Sequence, residues 1–127
     1  MLSPIPRRIL RDTLTLNVPG GFDGYQTPID VTTYTVANVH FQGDNSTHKT
    51  TDNTEVTLRG IIFIDARHSS PNLDYESLQS TVQALGGEMT CTVTTRRGSA
   101  LGPFSVAVVE ALPDDEDKLH HWEIGVV

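Results

Sequence analysis

Apolar and polar residues alternate with a period of two through much of the chain, and that pattern predicts strands. From Asp12 to Val18, Leu14, Leu16 and Val18 face one way and Thr13, Thr15 and Asn17 the other, as in a half-buried strand. Pro19-Gly20-Gly21 and Asp23-Gly24 break it. After Pro28 a second strand is expected from about Ile29 to Phe41. Straight alternation there puts Val31, Ala37, Val39 and Phe41 on one face and Tyr34 and Val36 on the other. The longest apolar run, Ile61-Ile62-Phe63-Ile64, lies within Glu55 to Pro71 (EVTLRGIIFIDARHSSP). Val56, Leu58, Ile62 and Ile64 share one face of that extended stretch and Ile61 and Phe63 the other, so a central strand covered on both faces is expected. Asp65 and the His-Ser-Ser-Pro turn end it.

Three further strands follow. Met89, Cys91 and Val93 alternate with threonines in Glu88 to Arg97, and Phe104, Val106 and Val108 point inward in Phe104 to Leu112. Leu119 to Val127 places Trp122, Ile124 and Val126 on one face and His121, Glu123 and Val127 on the other. Gly98 to Pro103 reads as a loop and Pro113 to Asp117 as an acidic turn. Asp74 to Leu85 fits two states: a helix capped by Asp74, stopped by Gly86-Gly87 and using Leu73, Leu78, Val82 and Leu85 as its apolar side, or a short strand over Ser80 to Ala84. The fold class is mainly β: a small single-domain β-barrel or sandwich of six or more antiparallel strands, with a long polar loop and at most one short helix.

That loop is Gln42, Gly43, Asp44, Asn45, Ser46, Thr47, His48, Lys49, Thr50, Thr51, Asp52 and Asn53, with no apolar side chain. A stretch of this length without structure is functional or disordered more often than not, and mobility in the free protein is expected. At the other extreme, residues 1–11 (MLSPIPRRILR) form a basic arm that Pro4 and Pro6 keep extended.

The 127 residues suffice for one domain with a real core, spanning 1–127 with 1–11 as the arm. A hydrophobic share of 37% is low to ordinary, which suits a chain that buries more surface in an assembly. The net charge of -7 argues against gripping nucleic acid over a large face, but suits a wall past which DNA slides. The single cysteine, Cys91, fits a reducing compartment. No apolar run approaches the ~20 residues of a membrane helix, and no apolar stretch follows Arg7, Arg8 and Arg11 to make a signal peptide.

Candidate chemistry is thin. His120 and His121 are neighbours, and in a regular strand they point to opposite faces, where one ion cannot take both. Asp65 and His68 straddle a turn, and Asp114, Asp115, Glu116 and Asp117 lack the glycine and spacing of a calcium loop. Ser69-Ser70 sit by His68 without a nucleophile-elbow motif, and Cys91 reads as a small core residue. No phosphate-cradling glycine loop occurs. Neither catalytic residues nor a metal or other cofactor are expected. Trp122 reads either as a core anchor or as a subunit-interface residue.

The ending Leu119 to Val127, LHHWEIGVV, resembles the closing motif of a minor capsid protein family of tailed phages of Gram-positive bacteria. Two more stretches resemble that family in the same order. Pro4 to Leu16, PIPRRILRDTLTL, is similar to its proline, basic pair, aliphatic pair and Thr-containing first strand. Ile61 to Pro71, IIFIDARHSSP, is similar to its aliphatic strand ending in Asp before Ser and Pro. Phe63, Asp65, His120, His121, Trp122 and Glu123 carry the resemblance, while Ser77 to Leu101 is longer than the family pattern.

The family is similar in turn to the head-completion, or stopper, proteins of long-tailed phages. The resemblance therefore implies a non-enzymatic virion subunit, assembled in the host cytoplasm, that forms a ring, closes the DNA-filled head and receives the tail. Its implied partners are copies of itself, a portal or adaptor protein on the head side and a tail-terminator or other tail protein on the other, with double-stranded DNA passing unread and no membrane. Residues 42–53 become a candidate gating or tail-docking loop, and Pro4, Pro6, Arg7 and Arg8 candidate arm contacts. Other readings are a minor capsid or decoration protein bound to the shell, a small β-barrel binding module, and a metal-dependent hydrolase using Asp65, His68 and His120.

Overall fold

A computed structural model describes residues 9–43, 47–49, 55–70, 73–113 and 118–127. In chain order the elements are β1 (Asp12–Val18), β2 (Gly21–Phe22), β3 (Pro28–Ile29), β4 (Thr32–Gly43), β5 (Thr47–Lys49), β6 (Glu55–Thr57), β7 (Gly60–Asp65), α1 (Tyr75–Ala84), β8 (Thr90–Thr94), β9 (Ala100–Pro113) and β10 (Leu119–Val126). Six of the strands close an antiparallel barrel in the order β1-β4-β7-β10-β9-β8, so the fold is a barrel and not a sandwich. Closure leaves no open edge among those six. Two small hairpins, β2-β3 and β5-β6, stand apart from the barrel sheet.

Where alternation is regular, its inward face is the core. Leu14 and Leu16 on β1, Cys91 and Val93 on β8, Ile62 and Ile64 on β7, and Trp122, Ile124 and Val126 on β10 are all buried in one cluster. Trp122 is thus a core residue, 6% exposed, with its ring edge-on to Tyr75 at 5.4 Å.

Four irregularities overturn the straight-strand readings. The first is a bulge in β4. Leu14 pairs with Val36 but Asp12 with Val39, so one extra residue is inserted, and Asn38 takes a left-handed φ of 60°. Val36 and Val39 therefore both face inward, Tyr34 and Phe41 pack on the same core, and Ala37 is exposed. Val31 lies before β4 and is exposed. The second is a bend at Leu58-Arg59, which divides the expected central strand into β6 and β7. Leu58 is buried, yet outside the barrel core: it lies over Gly125, where a Cβ would come within 2.8 Å of Leu58 Cδ1. Val56's side chain lies outside the described residues.

The third is a bulge in β9. Gly125 pairs with Val108 but Val126 with Val106, which turns Val108 outward and brings Val109 against the core. β9 also begins at Ala100, so the expected loop from Gly98 to Pro103 is largely strand. The fourth is a bulge in β10, at His120.

Asp74 to Leu85 is the helix. Asp74 caps α1, its carboxylate accepting from Ser77 N–H at 3.2 Å, and the chain leaves the helix ahead of Gly86-Gly87. Tyr75 and Val82 are the residues that α1 buries in the core, while Leu85 is exposed rather than apolar contact. Gln79 Nε2 donates to Ala107 O at 3.2 Å, tying the helix to the β9 bulge.

The polar loop is also partly ordered. Gln42 and Gly43 end β4, and Thr47 to Lys49 form β5 against β6 in register Thr47↔Thr57 to Lys49↔Glu55. The expectation of a wholly structureless loop fails at Thr47 to Lys49, whose backbone pairs with that of Glu55 to Thr57. Residues 44–46 and 50–53 lie outside the described residues.

Candidate functional site

β7 and β10 are neighbours in the barrel, so the stretches Ile61 to Asp65 and Leu119 to Val126, far apart in sequence, pair side by side. Ile64 faces Trp122 and turns inward with it; Phe63 faces Glu123 and turns outward with it. On its other side Phe63 pairs with His40 of β4, and Glu123 pairs with Glu110 of β9. The outer wall thus carries a row His40, Phe63, Glu123, Glu110, and beside it a row Gln42, Ile61, Gly125, Val108.

Phe63 and Ile61 are only half-buried, so among the described residues the cover expected on both faces of the central strand is incomplete. Phe63 lies between two imidazoles, 5.9 Å from the His40 ring and 6.1 Å from the His121 ring. With Ile9 and Gln42 these three line a hollow of about 290 Å³. A much smaller hollow, about 20 Å³, is lined by Leu58, Ile61, Val108, Glu110, Glu123 and Gly125.

The bulge at His120 changes the histidine pair. Leu119 pairs with Pro113 and His121 with Leu112, so His120 is the extra residue. The two rings then meet, Nδ1 to Nδ1, at 2.7 Å instead of pointing to opposite faces. At that distance one nitrogen donates and the other accepts. His121 Nε2 lies 3.2 Å from Glu123 Oε2, where a carboxylate needs a donor. The arrangement that satisfies both contacts has His120 Nδ1–H donating to His121 Nδ1 and His121 Nε2–H donating to Glu123.

Asp65 holds the turn after β7. It is 1% exposed, and Oδ2 accepts from Arg67 N–H at 2.9 Å and His68 N–H at 2.8 Å. Its Oδ2 lies 3.9 Å from His68 Nδ1. The Ser69 hydroxyl accepts from Asp65 N–H at 2.9 Å and donates to Asn38 O. Asn38 Nδ2 donates to His68 O at 3.0 Å, and Ala37 and Ser70 exchange backbone hydrogen bonds. The Asp-Ala-Arg-His-Ser-Ser turn therefore clamps the β4 bulge.

Of the other residues with candidate chemistry, Cys91 is fully buried and burial pushes its thiol up to about 12, leaving it protonated near neutral pH. Among the described residues no group of three or more His, Cys, Asp or Glu gathers to hold a metal. Asp114 to Asp117 and the arm residues Pro4, Pro6, Arg7 and Arg8 lie outside the described residues. No described helix is long and apolar enough to cross a membrane.

The sequence reading named Phe63, Asp65, His120, His121, Trp122 and Glu123, and the pairing of β7 with β10 brings them together around one strip of the barrel. It missed Ile9, His40, Asn38, Ser69 and Tyr75. Asp65 followed by Ser69 was the available signal for the turn; His40 and Ile9 join the wall only through long-range pairing. Comparison of the chain with protein-family models, with characterised proteins and with solved structures finds no match.

Proposed function

We propose that this protein is a structural subunit of a tailed phage, a head-completion protein that forms a ring at the head–tail interface, closes the DNA-filled head and joins the tail. The observation that carries the reading is the pair of aromatic and aliphatic side chains, Phe63 and Ile61, that β7 holds half-buried on the outer wall beside β10. Two of the three stretches that resemble the minor capsid family are these two strands with the turn after β7; the third, Pro4 to Leu16, leads into β1. A ring subunit has neighbours that can complete the partial cover of Phe63 and Ile61. The net charge of -7 suits a channel wall that must not hold passing DNA.

The test is reconstitution. Heads and tails are prepared from a phage lacking this gene, the purified protein is added, and infectious particles are counted. Recovery of infectivity that depends on the protein supports head completion. No recovery, with the protein bound instead in many copies over the shell, overturns it in favour of a decoration role.

A further inference from the structure

Two hollows on the outside of the barrel run into one another, because Ile9 and His40 line both. The first, about 290 Å³, holds the Phe63 ring between the imidazoles of His40 and His121. The second, about 450 Å³, opens on Arg96 and Arg97, both exposed. Together they form one groove, apolar at one end and cationic at the other. Ile9, 43% exposed, stands where the two ends meet.

The cationic end is held in place by its backbone. Arg96 and Arg97 are the central residues of a turn between β8 and β9, in which Gly98 N–H donates to Thr95 O at 2.9 Å and Thr95 N–H to Ser99 O at 2.8 Å. Ser99 N–H also donates to the Thr95 hydroxyl at 3.2 Å, and Gly98 takes the left-handed φ of 87° that closes the turn. Among the described residues neither guanidinium is paired with a carboxylate. Asp12 lines the same depression, but its Oδ2 accepts from Phe41 N–H at 2.9 Å. On a chain of net charge -7, two arginines on a fixed turn beside an apolar hollow are a local reversal of charge.

We propose that this groove is a docking site for an acidic segment of another protein, one that carries a large apolar side chain near its carboxylates. The apolar side chain seats against Phe63 and Ile9, and the carboxylates take the guanidiniums of Arg96 and Arg97 in paired hydrogen bonds. Charge selects this occupant. A short acidic segment meets the arginines and stays clear of the acidic remainder of the surface. A nucleic acid carries negative charge along its whole length, and the net charge of -7 repels it. Arg7 and Arg8 of this chain's own arm bear the same sign as Arg96 and Arg97. The site stands apart from the head-completion reading and is tested on the purified chain.

The probes are short synthetic peptides with two adjacent glutamates and one phenylalanine, joined by glycine-serine spacers of graded length. The full-length protein is titrated with each and followed by NMR. At least one spacer is expected to give saturable shifts at Ile9, His40, Phe63, Arg96 and Arg97. Two controls of that spacer, one with serine for the phenylalanine and one with lysines for the glutamates, are expected to bind about tenfold more weakly. Arg96→Glu with Arg97→Glu is expected to lose the glutamate peptide by a similar factor and to gain the lysine peptide, with circular dichroism confirming the fold. No saturable shift from any spacer overturns the proposal. So does a glutamate peptide that binds as well without its phenylalanine, or a folded charge-reversed chain that fails to change partner. Tighter binding of a double-stranded DNA oligonucleotide at these residues would assign the arginines to phosphate and overturn it. Shifts that grow with protein concentration alone would make the occupant a second copy, and contacts of residues 1–8 with Phe63 in the free chain would make it the arm; either overturns the proposal.

Discussion

Replacing Asp65 by alanine tests whether the turn after β7 is a structural clamp. The carboxylate is buried and its Oδ2 accepts at least two backbone N–H bonds, from Arg67 at 2.9 Å and His68 at 2.8 Å. Hydrogen bonds to a charged acceptor are worth about 1.5–3 kcal/mol each, so Asp65→Ala is expected to cost about 3–6 kcal/mol. That is a large part of the roughly 5–15 kcal/mol that holds a domain together. At this chain length it corresponds to a fall in melting temperature of roughly 10–20 °C. Asp65→Asn keeps one oxygen where Oδ2 stands and loses the charge, so about 1–2 kcal/mol is expected. The assay is urea unfolding followed by the fluorescence of Trp122, which sits in the core. The midpoint should fall with the slope unchanged, because the same surface is exposed on unfolding. An Asp65→Ala protein within about 1 kcal/mol of the parent would refute the clamp, since ordinary surface substitutions fall in that range.

Other consequences are open to equally direct measurement. A Cβ at Gly60 would lie 2.4 Å from Phe41 Cζ, and Phe41 is stacked on Phe104 at 5.5 Å, so Gly60→Ala should cost about 1–3 kcal/mol in denaturant; no loss would mean that the ring shifts freely. Burial raises Cys91 from 9.0 and Tyr75 from 10.0, each to about 12. The folded chain therefore keeps protons that the unfolded chain has lost. Stability that is complete below pH 9 falls as pH rises toward 12, by up to about 1.4 kcal/mol per pH unit for each group. Cys91→Ala should move the onset toward pH 10, and a urea midpoint flat across this range would contradict the burial of both groups. Replacing residues 44–53 by a short Gly-Ser turn removes β5, which belongs to a separate two-stranded sheet, so cooperative barrel melting should persist while tail joining is lost. Unimpaired joining would exclude the loop from that step.

The inward faces of β1, β8 and β10 were legible because nothing interrupts their alternation: Leu14, Leu16 and Val18; Cys91 and Val93; Trp122, Ile124 and Val126. Parity failed where one residue is inserted or the chain bends. The β4 bulge is stabilised by the turn 65–70, about thirty residues away, through Ser69, Ser70 and Asn38, and no local pattern announces it. Leu58 leaves the core side because Gly125 offers it a place on the outer wall. His120 and His121 meet because β10 is bulged against β9. The helix was half-legible: Asp74 and Gly86-Gly87 marked its ends, but Tyr75, the aromatic that meets Trp122, was not counted on its apolar side although it stands three residues before Leu78 and seven before Val82. The outer wall was the least legible feature. The row His40, Phe63, Glu123, Glu110 draws on four strands and exists only in the closed barrel.

Electron microscopy of a lysate from a phage in which this gene is disrupted tests head completion most directly. The expected result is heads with portals that have lost their DNA, lying beside free, complete tails. Intact tailed particles, filled with DNA and differing only in the thickness or strength of the shell, would contradict it.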